Sequence, residues 1–285
     1  MSDFYLPAGS TADGTYSAVV TPERAGWTYS GLRILELPAG SRATVETGPE
    51  EWAVLSLSGS CTVRAEGRDY DITGRENVFT GVSDFVYLPR DTAAVLESPA
   101  GGRFALPSTR CERRLSIRYG AAADVPVEIR GAGQATRQVN NFLAPGAFEA
   151  DKLCAVEVLT PGGNWSSYPP HKHDEKREGE AVLEEIYYFE SRGMAFQRVY
   201  GSGPGRDIDV TAQISTGDIV LIPHGYHGPS MAGPGYDLYY LNVLGGPGEQ
   251  RSMAFCDDPE HAWIRGSWEG VEPDPRVPFF SGRGK

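Results

Sequence analysis

Short runs of alternating apolar and polar residues, broken by Gly, Pro or Asp, occupy most of this chain. Alternation with a period of two marks strands that bury one face. Leu32–Gly40, Trp52–Gly59, Phe85–Pro89 and Ala93–Glu97 predict strands with their turns in the first half. Leu153–Gly163, Glu185–Phe189 and Phe196–Tyr200 predict more in the second. The first thirty residues are polar and turn-rich, and predict an arm with a short strand. No segment keeps a 3.6-residue apolar period long enough to predict a long amphipathic helix. Many short strands separated by turn residues point to an all-β protein of sandwiches or barrels.

The pattern also repeats. Leu153–Gly163 matches Leu32–Gly40, Glu184-Glu185 with Gly193 matches Glu50-Glu51 with Gly59, and Leu221-Ile-Pro223 matches Tyr87-Leu-Pro89. Glu51 and Glu185 are 134 residues apart, as are Pro89 and Pro223, whereas Pro38 and Pro161 are 123 apart. Equal offsets in order fit two copies of one β domain, the second longer between its first strand and its glutamate. The expected division is a first domain at 1–120, a linker with one crossing strand (Val125–Arg130) at 121–145, and a second domain at 146–285. The first copy contains no histidine, and Ala93 stands where the offset puts His227, so the first domain is expected to lack metal ligands.

Composition adds limits. The 285 residues include 35 Gly and 21 Pro, scattered as short strands and turns require. A formal net charge of -12 argues against nucleic acid or an anionic membrane as partner, but leaves room for a local basic pocket and a small anionic substrate. A homo-oligomer is compatible with this composition. Cys61, Cys111, Cys154 and Cys256 form no Cys-x-x-Cys pair and read as reduced thiols of a cytoplasmic protein. Neither a secretory signal nor a membrane-spanning run is apparent.

The candidate chemistry is concentrated in the second half. His171 and His173, at i and i+2, face the same way on a strand. A carboxylate from Glu184-Glu185 and an imidazole from Pro223-His-Gly-Tyr-His227 complete a donor set suited to one divalent metal. Adjacent residues on a strand face opposite sides, so only one of Glu184 and Glu185 can join, and periodicity alone leaves that choice open. His224 reads as a rim residue beside His227, and His261 as structural or at a subunit contact. Lys172, between two ligands, points away in strand geometry but is a candidate for catalysis. Arg198 is a candidate fork for a substrate carboxylate. Tyr168, Tyr187, Tyr240 and Asn242 are candidate pocket residues, and Asp174–Glu180 reads as a solvated loop.

These residues carry a resemblance. His-x-His, a glutamate heading an apolar strand, then Gly217-(five residues)-Pro-x-Gly225 and a histidine resemble the two cupin motifs. The His173–Glu185 gap is longer than usual in cupins, and one residue instead of two separates Gly225 from His227. Asn164–Asp174, Leu183–Tyr188, Phe196–Tyr200, Gly225-Tyr-His227, Gly235–Val243 and Asp258–Ile264 more closely resemble the 5-deoxy-glucuronate isomerases of bacterial myo-inositol catabolism. Those enzymes are related to the 4-deoxy-threo-5-hexosulose-uronate ketol-isomerases. The resemblance is dense in the C-terminal half and loose in the N-terminal half. It implies a bicupin, two tandem cupin-like barrels, with a metal site of His171, His173, Glu185 and His227. Zinc is the metal it favours, with manganese or iron as alternatives. It further implies an aldose–ketose isomerase acting on a sugar acid; the residues themselves make Glu185, Arg198, Lys172, Tyr187 and Tyr240 the catalytic candidates. An iron-dependent cupin dioxygenase and a non-enzymatic sugar-binding bicupin use similar frames and are the alternative classes.

Overall fold

The computed structural model describes residues 3–280. Among the described residues, helix is confined to a single turn, Pro22–Ala25, and two 3-10 segments, Ala122–Asp124 and Ala262–Trp268. None of the described helices is long and apolar enough to cross a membrane. The rest is built from strands, as the alternation predicts, and these form two barrel-like units.

In the first unit, Tyr16–Val20, Ser30–Leu37, Gly102–Arg110, Glu50–Ala65, Phe85–Leu88 and Arg118–Gly120 lie side by side. The 16-residue strand Glu50–Ala65 serves both layers. Its first half pairs with Phe85–Leu88 and Gly102–Arg110, and its second half with Arg68–Arg75 and Ala93–Ser98. Trp52, Val54, Val63, Leu96 and Phe104 fill the interior.

The second unit has two facing sheets. One runs Tyr5–Leu6, Ile219–Ile222, Glu184–Ser191, Leu238–Gly245, Cys154–Thr160, Arg137–Asn140 and Val127–Arg130. The other contains Asp209–Ile214, Ala195–Tyr200, Tyr226–Ala232, His171–Lys172 and Cys256–Asp257, with Trp165–Ser166 beside Tyr226–Ala232. A two-stranded hairpin, Asp174–Arg177 with Glu180–Val182, stands next to them.

The seven-stranded sheet is covered on both faces. Tyr187, Phe189, Val158 and Tyr240 point into the second barrel. Ile186, Tyr188, Tyr239 and Leu241 point the other way, into a core shared with Leu32, Ile34, Leu55 and Tyr87 of the first unit. Cys154–Thr160 and Leu238–Gly245 are consequently buried at every position. Polar residues that cross this contact are paired, as buried polar groups must be. Glu184 accepts the backbone N–H groups of Thr28, Tyr29 and Ser30 at 2.6–2.9 Å. Glu51 accepts those of Asp151, Lys152 and Leu153 at 2.6–2.9 Å. Arg75 forms a buried ion pair with Glu157 of the second unit.

Two details differ from the sequence reading. First, the N-terminal segment crosses over to the second unit. Tyr5–Leu6 pairs with Ile219 and Val220 of the second unit, whereas Arg118–Gly120 pairs with Phe85–Tyr87 of the first. Tyr5 and Tyr119 donate from their hydroxyls to Asp218 and Asp84, both at 2.7 Å. The stretch 121–145, read as a linker, supplies two strands to the second sheet.

Second, the 134-residue offset misaligns the glutamates by one residue. Glu185 faces Ile222 across its ladder, next to Pro223, and the residue facing Leu88, next to Pro89, is Trp52. Trp52 therefore occupies the place of Glu185, and Glu51 that of Glu184. Because side chains alternate across a strand, this one-residue slip moves Glu51 to the opposite face from Glu185.

Candidate metal centre

Both sheets of the second barrel contribute to the centre. His171 is directly opposite His227 in an antiparallel pair, and the Leu183 N–H donates to the His173 carbonyl at 2.9 Å. These bonds turn His171, His173 and His227 toward the strand that carries Glu185. Gly225 makes the tight turn that delivers His227. Its φ is +92°, and a Cβ there would lie 2.6 Å from the Tyr200 carbonyl oxygen.

His173 Nε2 is 2.8 Å and His227 Nε2 is 3.0 Å from the same Glu185 oxygen, Oε2. All three residues are buried, and their donor atoms lie within 4.8 Å of one another, a group able to hold a metal ion. The His171 ring is 4.4 Å from that of His227, centre to centre. Nδ1 of His171 faces the Pro169 carbonyl at 3.3 Å, that of His173 the Leu183 carbonyl at 3.1 Å, and that of His227 the Gly225 carbonyl at 3.3 Å. A carbonyl accepts only, so these contacts place the proton on Nδ1 and leave the Nε2 lone pairs free. Asn242 donates to the other Glu185 oxygen at 2.9 Å and fixes the carboxylate.

The arrangement fits a cation. Lone pairs on two imidazoles point at a carboxylate oxygen, which is repulsive unless positive charge lies among them. A proton on His173 satisfies one contact only, and the buried His227 Nε2 has no hydrogen-bond partner. The two imidazoles hold the Glu185 carboxyl far below the usual range despite its burial. Burial opposes the charged form of His173, yet the Glu185 carboxylate raises its pKa overall. Burial and the neighbouring His227 depress that of His171.

The centre opens into a cavity of about 870 Å³ whose lining includes His171, His173, Glu185, Tyr187, Tyr240 and Asn242. Ser167 Oγ lies 2.8 Å from the Tyr187 hydroxyl and 3.3 Å from that of Tyr240. Ser167 adopts a φ of +47°, a conformation costly outside glycine and common where a side chain must be aimed. Burial raises the pKa of both tyrosines, so their hydroxyls stay protonated.

Three predicted residues, Arg198, Lys172 and Tyr168, do not line the cavity. Arg198 lies on the outer side of its strand, bound to Asp209 and to Thr211 Oγ1 at 3.0 Å. The alternation of Ala195–Tyr200 sends Gln197 and Val199 inward instead. Lys172 is buried on the far side from the ligands, its Nζ 2.6 Å from Asp174 and 2.8 Å from Glu180. Asp174 and Glu180 thus belong to an ion-paired hairpin, not to a solvated loop. Glu184 points away from the ligands, toward the first unit. His224 is at the rim, 3.4 Å from the Asp207 carbonyl, and Tyr168 packs edge-on against Trp165.

Sequence reasoning missed Arg137 and Ser167. Arg137 lines the cavity and is 7% exposed. Its Nη1 donates to the Ala135 and Tyr168 carbonyls, both at 3.2 Å, and it forms no ion pair with any described carboxylate. Burial pulls its pKa down to about 10. The signal was the alternation of Arg137 with Val139 in a stretch taken for a linker.

The chain is similar to known proteins over most of its length. A 5-deoxy-glucuronate isomerase from Geobacillus kaustophilus is 38% identical over 270 residues, covering 93% of this chain and 96% of its own. One from Bacillus subtilis strain 168 is 38% identical over 251 residues, covering 86% and 91%. Among solved structures, an IolB-like protein from Salmonella typhimurium LT2 superposes with a TM-score of 0.85 at 34% identity, covering 92% of this chain and 99% of that one. An oxalate decarboxylase from Lactobacillus farciminis, solved with formate, shares the fold alone, with a TM-score of 0.62 at 15% identity over 90% and 89%. The chain is thus an all-β bicupin. The model of the KduI/IolB family matches residues 4–264, nearly the whole described chain, and the protein belongs to that family.

Proposed function

We infer that this protein is a 5-deoxy-glucuronate isomerase that converts 5-deoxy-D-glucuronate to 5-dehydro-2-deoxy-D-gluconate. The observation that carries the reading is the convergence of His173, Glu185 and His227 at a cavity, in a chain 38% identical to isomerases of that name. His171 joins them as the fourth ligand. The donor set of three imidazoles and one carboxylate suits zinc, and manganese or iron accept the same donors. When bound, such an ion supplies Lewis-acid polarisation of the two neighbouring oxygens of an aldose.

The residues of this chain do the rest. The histidines hold the centre with their Nε2 atoms outward, and Asn242 keeps the Glu185 carboxylate in place. The reaction moves hydrogen from C2 to C1 and from the C2 hydroxyl to the C1 oxygen. The protonated hydroxyls of Tyr187 and Tyr240, linked through Ser167, donate hydrogen bonds to sugar oxygens and relay a proton among them. The buried walls formed by Val139, Val156 and Val158 exclude water from the reacting carbons. The substrate is a small anionic sugar acid. The free cysteines suit work in a reducing cytoplasm.

The test is an anaerobic assay of purified protein with 5-deoxy-D-glucuronate, coupled to elemental analysis. Ketose should form without oxygen, at a rate proportional to bound metal. Turnover only in oxygen would favour a dioxygenase, and binding without turnover would favour a sugar-binding protein.

A further inference from the structure

We propose that Arg137 is the anchor for the carboxylate of the substrate, and that it selects acids over neutral sugars. The proposal rests on the isomerase reading for the identity of the acid. It rests on the structure for the existence of an anion site.

Three arginines line the cavity: Arg130, Arg137 and Arg265. Arg130 is spent in a fork on Glu128, with Nε and Nη2 each 2.8 Å from a carboxylate oxygen. Arg265 is held the same way by Asp257. Lys172, the other buried cation near the ligands, is enclosed by Asp174, Glu175 and Glu180 behind the strand. Arg137 alone among these is buried without a carboxylate. Its two bonds, from Nη1 to backbone carbonyls, orient the guanidinium but give it no ion pair, and the neighbouring Glu128 is already forked by Arg130. Burying an unpaired guanidinium is costly, and proteins do it where an anion arrives to complete the site.

The surroundings suit this role. Arg137 is on the same face of its strand as Val139, which lines the cavity. Tyr240 and Tyr187 line the same cavity as Arg137, and the Tyr187 ring is 5.9 Å from that of His227. One cavity therefore holds a cationic group, Arg137, the hydroxyls of Tyr187 and Tyr240, and the metal-ligand set of Glu185 and the histidines. A linear hydroxy acid with a carboxylate at one end and an aldehyde at the other has matching polarity. A planar guanidinium pairs with a carboxylate through two parallel N–H bonds, a fit that lysine does not reproduce.

The test compares 5-deoxy-D-glucuronate with its neutral counterpart 5-deoxy-D-glucose, in which the carboxylate is a primary alcohol. In Arg137→Met, kcat/KM for the acid should fall by about 100-fold or more, mainly through KM, because a charge-assisted pair is lost. Turnover of the neutral sugar should change by less than about 3-fold, and metal content should be unchanged. Arg137→Lys keeps the charge without the fork and should lose roughly 10-fold on the acid only. That variant carries the test if Arg137→Met does not fold. Equal losses on both sugars, or no loss on the acid, would overturn the proposal. Calorimetry with the acid whose aldehyde is reduced to an alcohol, which cannot isomerise, separates the two readings. If wild type binds it, Arg137→Met does not, and wild type turns over neither sugar, the anion site stands and the isomerase reading fails.

Discussion

At the scale of the residue, Glu184 and Glu185 show how one peptide step separates two roles. Glu185 is directed at two imidazoles, and Glu184 at three backbone N–H groups of the other barrel. Glu185→Gln should lower bound metal and cut turnover by at least about 100-fold, because a neutral amide is a poorer ligand for a hard cation. Glu184→Gln should keep its metal but lower stability by about 1–3 kcal/mol, since one amide oxygen cannot serve three donors. Elemental analysis and denaturant titration of both variants distinguish these outcomes. A metal-poor Glu184→Gln would mean that the two glutamates are exchanged. His227→Ala should likewise lose metal, whereas His224→Ala, at the rim, should keep it; equal loss in both would count against His227 as the ligand.

At the scale of the element, the strand that carries Glu185 was legible in the sequence as a strand, but its register was not. Apolar residues fill both faces of Glu184–Ser191, because one face lines a barrel and the other packs against a second barrel. Alternation therefore carried no sign, and the repeat misled by one residue because Glu50-Glu51 is also a pair. His171, His173 and His227 were readable because their spacing and the Pro-x-Gly turn are local. Arg137 was not, because its strand is only four residues long and lies in the stretch read as a linker, although its partner strands Val127–Arg130 and Cys154–Thr160 are near in sequence. The hairpin Asp174–Arg177 with Glu180–Val182 was taken for a loop because its charges look solvated, yet they converge on Lys172. Lys172→Met should destabilise the fold by about 3 kcal/mol or more, by leaving Asp174 and Glu180 buried without their cation. Metal affinity should fall with it, since the same short segment carries His171 and His173. Unchanged stability in urea would show that the network is dispensable.

At the scale of the whole molecule, the two barrels share a frame and differ in what fills it. Trp52, with the Arg33 guanidinium 4.4 Å from its ring centre, occupies the place that Glu185 has in the second barrel. One metal per chain is expected from elemental analysis, and a second ion surviving dialysis would contradict this. The barrels also hold each other symmetrically. Glu51 and Glu184 grip the lead-ins of Cys154–Thr160 and Ser30–Leu37 in the opposite barrel, and Tyr5–Leu6 extends the sheet of the second barrel from the N-terminal end of the chain. In a homodimer such contacts would form an isologous interface. Here one covalent chain supplies both halves, so the partner is always present at a fixed effective concentration. Separating the halves turns a folding contact into a binding equilibrium. A fragment of 146–280 alone would lose Tyr5–Leu6, the strands of 127–140 with Arg137, and every donor to Glu184. It should fail to hold metal until the 1–145 fragment is supplied, and the recovered metal should then rise with fragment concentration.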